Sequence, residues 1–129
     1  MGRTIFLLLA LAGCATPLQP NHVLIYSRTD GFRHNSIPAA IAAVSEIAES
    51  MGCSVSATED PLAFTGEALA NTAVVAFLNT TRDVLGPRQE AALRRFVEGG
   101  GGFLGAHAAA DTEYDWPWYG EELLGAYFS

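Results

Sequence analysis

The chain has 129 residues, half of them hydrophobic, which is the size and make-up of one domain with one buried core and not of a disordered tail. Its net charge is −7, its seven cations are all arginine, and lysine is absent, which excludes a nucleic-acid or anionic-membrane surface held by a basic patch. Neutral or small-molecule partners are expected, and no nucleic acid.

Met1-Gly2-Arg3 followed by the apolar run 4–13 has the form of a cationic n-region and a secretory h-region, shorter than a comfortable membrane span. Leu11-Ala12-Gly13-Cys14 resembles the bacterial lipobox, in which cleavage before the cysteine leaves a lipidated N-terminal Cys. The expectation is a lipoprotein signal peptide over 1–13, lipidation at Cys14, a linker over 14–21 and a domain from 22 to 129. Such a protein is lipid-anchored to the membrane in the bacterial cell envelope, on its periplasmic or outer face. With Cys14 modified, Cys53 is the one thiol left, so no disulfide forms within the mature chain. Cys53 reads as a packed small hydrophobe, not a nucleophile.

From residue 22 short apolar runs alternate with helical segments. His22 to Ser27 (HVLIYS) is a continuous apolar run, as expected of a strand buried on both faces of a parallel sheet. Ser36 is placed to cap a helix whose apolar residues Ile37, Ile41, Val44, Ile47, Ala48 and Met51 fall at helical spacing, with Pro38 in the first turn and Gly52 as the stop. Cys53 to Ala57 alternates like a strand nearer an edge, and Gly66 to Asn71 is read as a short helix. Ala73 to Leu78 is a second continuous apolar run. Pro87 opens a helix with Leu93, Phe96 and Val97 on one face and Arg94, Arg95 and Glu98 outside, ending at Gly99. A third apolar run, Gly102 to Ala106, leads to His107, and Tyr119 to Phe128 starts a further helix.

This order predicts an α/β fold: a three-layer, mostly parallel, flavodoxin-like sheet flanked by helices, with right-handed crossovers. Four strands are few for such a sheet and the chain stops just after Ala126-Tyr127-Phe128, so a C-terminal truncation is expected.

Ligands of open parallel sheets bind outside the carboxyl ends of the strands, where strand order reverses. With a strand order of 2-1-3-4, the loops 28–36, 79–83 and 107–119 share that rim. Gly99 to Gly102 follow a helix and precede a strand, the reverse of a phosphate-cradling loop, and so read as a turn at the opposite rim. Gly105-Ala106-His107-Ala108-Ala109 has the form of a sharp strand-to-helix elbow that presents one side chain. A histidine there can act as acid, base or metal ligand. Asp111, four residues on, can orient His107 or share a metal with it. His34 on the facing loop is a candidate partner. Two histidines and a carboxylate (His34, His107, Asp111) also satisfy a common divalent-metal pattern, although their spacing is not diagnostic. His22, at the other end of the first strand, reads as structural. Asp115, Trp116, Trp118 and Tyr119 put aromatic faces beside a carboxylate, which suits a sugar or, equally, a hydrophobic plug that anchors the loop. Glu121 and Glu122 read as first-turn helix charges.

Ser27 to Pro38 (SRTDGFRHNSIP), Phe77 to Leu85 (FLNTTRDVL) and Gly101 to Tyr119 (GGFLGAHAAADTEYDWPWY) together resemble the trehalose-utilisation (ThuA-like) domain family. The resemblance runs from His22 onward and implies the class I glutamine amidotransferase-like fold. Amidotransferases of that superfamily carry a cysteine at the elbow where this chain has His107, so glutaminase activity is not implied. A role in handling carbohydrate is implied, around trehalose or related oligosaccharides and keto-sugars. In that reading His107 is the acid/base or metal-binding group and Asp111 its orienter. Arg33 and His34 contact substrate from the facing loop, Asn79 and Thr80 donate hydrogen bonds, and Asp115, Trp116, Trp118 and Tyr119 line the sugar. Two other readings stay open: a non-catalytic sugar-binding module and a structural domain without ligand.

Overall fold

The two longest apolar runs become the centre of a sheet because only a strand covered on both faces can bury side chains that point both ways. In the computed structural model, which describes residues 19–128, these are β1 (His22–Tyr26) and β3 (Thr72–Leu78). The expected signal peptide over 1–13 and the expected lipidation site Cys14 lie outside the described residues. β1 pairs on one side with β2 (Ser54–Thr58) and on the other with β3, which pairs in turn with β4 (Gly102–Ala106). All pairings are parallel and the order is β2-β1-β3-β4.

The chain is α/β, with layers set by alternation along the strands. Leu24, Tyr26, Val75 and Phe77 face α2 (Pro87–Glu98), where they pack with Phe64, Leu93 and Tyr119. Val23, Ile25, Ala76 and Leu78 face α1 (Ile37–Ser50) and meet Ile41, Val44 and Ala48. β2, with its Ser-Val-Ser-Ala-Thr alternation, is an edge strand. There the His22 ring lies within hydrogen-bond distance of Ser54 Oγ (2.9 Å) and Ser56 Oγ (2.8 Å), a structural bridge far from the opposite rim. β4 is the other edge, and its Leu104 stays exposed on the α1 side.

Both long helices end in the same six-residue motif. The left-handed Gly52 and Gly100 let the chain fold back, so that Cys53 N–H donates to Ala48 O (3.0 Å) and Gly101 N–H to Phe96 O (2.9 Å). This accounts for the glycine run: Gly99 caps α2, Gly100 takes φ +99°, and a Cβ on Gly101 would collide with the Phe96 ring.

Three local expectations are corrected. Gly66 to Asn71 forms successive turns and not a helix, held by Leu69 N–H to Thr65 O (3.0 Å) and Ala68 N–H to Thr65 Oγ1 (3.0 Å). Six residues beginning with glycine gain too few bonds to offset helix nucleation. Ser36 is itself helical and does not cap α1; its hydroxyl accepts from Asn79 Nδ2 at 2.8 Å. The helix expected from Tyr119 to Phe128 is a π-helical turn, Tyr119–Leu124, stopped by Gly125 at φ +78°. Among the described residues no helix is long and apolar enough to cross a membrane.

Candidate functional site

β1 sends the chain to one side of the sheet and β3 takes it to the other, so the crevice at the carboxyl ends opens between the loops after β1 and β3, with the β4 loop beside it. These loops are laced together beyond the strands. Thr29 bridges to Thr81 and Arg82 to Thr112. Asp30 N–H donates to Thr81 O (3.0 Å), Arg82 N–H to Asp111 O (2.8 Å) and Glu113 N–H to Arg82 O (3.2 Å). Threonine hydroxyls finish the frame: Thr81 Oγ1 donates to Phe32 O (3.0 Å), Thr112 Oγ1 donates to Ala108 O (3.1 Å), and the Thr80 and Thr112 hydroxyls lie 2.9 Å apart.

The described non-glycine residues with left-handed backbone are Asn79 (φ +56°), Arg82 (+65°), His107 (+54°) and Glu113 (+54°). All four lie in the β3 and β4 loops of this rim. Side chains seldom adopt this region, and such residues persist only where their surroundings hold them. His107 is the first residue after β4, so the strand ends in the expected elbow, followed by a 3-10 turn over His107–Asp111.

The elbow brings His107 against His34, ring centroids 4.5 Å apart at 70°, and His34 against Phe32 at 4.8 Å and 78°. Together with Ala108, Asp111 and Phe128 these side chains line a cavity of about 440 Å³. Phe32 and Phe128 are 70% and 71% exposed, so their faces are open at its mouth. A cavity of about 430 Å³ at the opposite rim, lined by Leu69, Phe96 and Gly99 to Gly101 among others, has no titratable side chain in its wall.

Asp111 lines the cavity, but its partner is not His107. Asp111 Oδ1 accepts from Tyr114 Oη at 2.6 Å, a bond that holds the Tyr114 phenol above its ordinary pKa. The orienter role expected for Asp111 toward His107 is therefore replaced by a bond to a phenol three residues on. Nor do His34, His107 and Asp111 form a metal centre: among the described residues, no three His, Cys, Asp or Glu side chains are grouped so as to hold an ion.

The other expected site residues stand elsewhere. Arg33 leaves the cavity to pair with Glu59 at 2.6 Å on the surface. Asn79 and Thr80 are buried behind the rim, with the Asn79 amide on Ser36 and the Thr80 hydroxyl on Thr112. Tyr119 lies in the core beneath α2, where its hydroxyl donates to Ala109 O (2.8 Å) and burial pushes its pKa up. Trp116 packs against that core and against Trp118, whose face is covered by Arg94 at 5.5 Å. Asp115 N–H donates to Asp83 Oδ1 (3.2 Å). None of these residues lines the histidine cavity.

Residues 22–129 match the family model described as ThuA, trehalose utilisation. The chain belongs to the trehalose-utilisation (ThuA) family. A ThuA-like protein of known structure from Bacteroides uniformis ATCC 8492 superposes with a TM-score of 0.68 at 25% identity, over 88% of this chain and 47% of that one. The chain thus spans about half the length of that relative. A comparison with curated proteins finds no match. At the family level the role is one in trehalose utilisation.

Four residues of this ThuA domain matter to the site although their chain positions do not announce it. Phe32 and Phe128 wall the cavity from 96 residues apart, and Tyr114 fixes Asp111. Glu113 is 1% exposed and its Oε1 accepts from the N–H groups of both Val84 and Leu85 at 2.8 Å, clasping the β3 loop to the β4 loop. Burial raises its pKa to about 7; the two N–H donors oppose this, and the charges of Glu90 and Asp83 add to it. In the run of acids Asp111, Glu113 and Asp115 only the middle one is buried, and nothing in the sequence sets it apart.

Proposed function

We propose that this ThuA domain binds a carbohydrate in the cavity between the β1 and β4 loops and uses the His34–His107 pair for proton transfer. The observation that carries the reading is the elbow: a histidine held in left-handed backbone, edge-on to a second histidine, in a cavity at the switch point of the sheet. A neutral imidazole has one N–H donor and one acceptor nitrogen, so two rings side by side can give a proton to one sugar oxygen and take one from another site. The open faces of Phe32 and Phe128 suit the C–H surface of a pyranose, and the Asp111 carboxylate accepts from its hydroxyls. The sequence of residues 1–14 supports an envelope lipoprotein, in which the domain handles sugar at the membrane surface.

The test is turnover and binding of trehalose and of its keto derivative by the wild type and His107→Ala. Loss of turnover with binding retained supports the catalytic role, and turnover unchanged in His107→Ala refutes it. A second reading, a binding module without catalysis, is favoured by one observation: the carboxylate nearest the elbow is bonded to Tyr114 and not to His107. It expects binding that Phe32→Ala abolishes and no product with either sugar.

A further inference from the structure

We infer that Asn79 is a positioning residue that sets the distance and angle between the His34 and His107 rings; the inference rests on the proton-transfer reading of that pair. β3 emerges between the two histidine-bearing loops, and the residues after it fasten the chain on both sides of each ring. Around His34, Thr81 Oγ1 donates to Phe32 O (3.0 Å) and Asn79 Nδ2 donates to Ser36 Oγ (2.8 Å). Around His107, Asn79 N–H donates to Ala106 O (3.2 Å) and Arg82 N–H to Asp111 O (2.8 Å). Of these three residues, Asn79 is the one whose hydrogen bonds reach both loops.

The placement follows from residue type. Asn79 stands one step past the last β3–β4 pair, Leu78 with Ala106, and its backbone turns left-handed at φ +56°. Asparagine adopts that region more readily than most residues, and here it keeps its N–H on the end of β4 while its amide reaches the loop after β1. Both anchors are firmly held. Ser36 adjoins α1, where its carbonyl accepts from Ala40 N–H (2.9 Å), and the His34 carbonyl accepts from Ile37 N–H (3.3 Å). Ala106 ends β4, and His107 is the next residue. Asn79 itself is 4% exposed and lies outside the cavity wall, so it acts on a sugar only through the two imidazoles. Rings with centroids 4.5 Å apart serve one substrate only while a nitrogen of each stays within hydrogen-bond reach of it, and a displacement of about 1 Å costs about a hundredfold in rate.

Nuclear magnetic resonance of the whole chain, labelled at histidine, reads the pair without any ligand, as the through-space cross-peak between the ring protons of His34 and His107. The wild type should show it, and its absence there overturns the inference. Asn79→Gly keeps the N–H and the left-handed freedom and removes the amide alone. Ser36→Ala removes the acceptor of that amide at an exposed position, where the fold tolerates the change. Each should weaken the cross-peak at least about twofold, the double variant should show no more than either single one, and Ser36→Thr, which restores the hydroxyl, should recover it. With the keto derivative of trehalose as probe, Asn79→Gly and Ser36→Ala should lose about tenfold or more in kcat and change KM by less than about threefold. A bond that serves the fold alone would lower the thermal midpoint and leave the cross-peak and kcat as in the wild type; that result overturns the inference. Should Asn79→Gly not fold, Ser36→Ala decides by the same cross-peak, and its survival there overturns the inference. A cross-peak that weakens in the variants while the wild type turns over neither trehalose nor its keto derivative upholds the placing of the rings by Asn79 and overturns the proton-transfer reading instead.

Discussion

Glu113→Gln converts the buried clasp into a direct measurement. The amide keeps the carbonyl oxygen that accepts from Val84 and Leu85 but cannot ionise. In the wild type, both folded and unfolded forms hold the proton well below pH 4.5. As pH rises, the unfolded chain releases it near the ordinary value of 4.5, whereas the folded chain holds it until about 7. The stability from the protonated clasp is therefore complete at low pH and is lost between those two values. The gap corresponds to about 3 kcal/mol. Urea unfolding followed by Trp116 and Trp118 fluorescence at about pH 5.5 and about pH 8.5 keeps the acidic chain soluble and captures about 2 kcal/mol of that loss. Glu113→Gln should lie within about 1 kcal/mol of wild type at the lower pH, the net value of one altered hydrogen bond, and gain on it by about 2 kcal/mol at the higher. A stability difference between the two proteins that does not change with pH would refute the assignment of the raised pKa to this burial.

Three further outcomes follow from the same geometry. His107→Gly relieves the left-handed backbone of a side chain and should raise unfolding stability by up to about 1 kcal/mol while abolishing turnover, a gain in stability with loss of function that calorimetry and assay read together. Gly101→Ala drives a methyl into the Phe96 ring and should cost about 1–3 kcal/mol by denaturant titration, with sugar affinity unchanged because the glycine lies at the opposite rim. Phe32→Ala should lose sugar binding without loss of stability, since the side chain is mostly exposed, whereas Trp118→Ala should keep sugar binding, since its face belongs to Arg94.

The layers were legible because they depend on periodicity along the chain; the order 2-1-3-4 was a supposition, and the sheet has it. Apolar runs such as Ala73 to Leu78 read as strands buried on both faces and the alternation after Cys53 as an edge, whereas the apolar run Gly102 to Ala106 carries no mark of the edge position it takes. The rim loops followed from that order, and with them the meeting of His34 and His107. What was not legible depends on partners chosen across the fold. Asp111 lies at helical spacing from His107, yet a 3-10 turn and Tyr114 take its carboxylate elsewhere. Trp116, Trp118 and Tyr119 are polar-tipped aromatics beside acids and read equally as platform or plug; the π-helical turn puts them under α2. The burial of Glu113 leaves no trace in a run of alternating acids, because burial there is decided by two backbone N–H groups some 28 residues earlier.

The two ends of the sheet differ in how they hold backbone in the left-handed region. Where the turn has only to end a helix at the opposite rim, at Gly52 and Gly100, the chain uses the residue that adopts it freely. On the ligand rim the same conformation is held by Asn79, which adopts it with little strain, and by Arg82, His107 and Glu113, at about 1–2 kcal/mol each. For these three the sum is on the order of 3–6 kcal/mol, a large share of the folding stability of an ordinary domain. One pole of the molecule is thus relaxed and the other spring-loaded, and any ligand that fits the loaded pole meets a surface whose shape has already been imposed at the expense of stability.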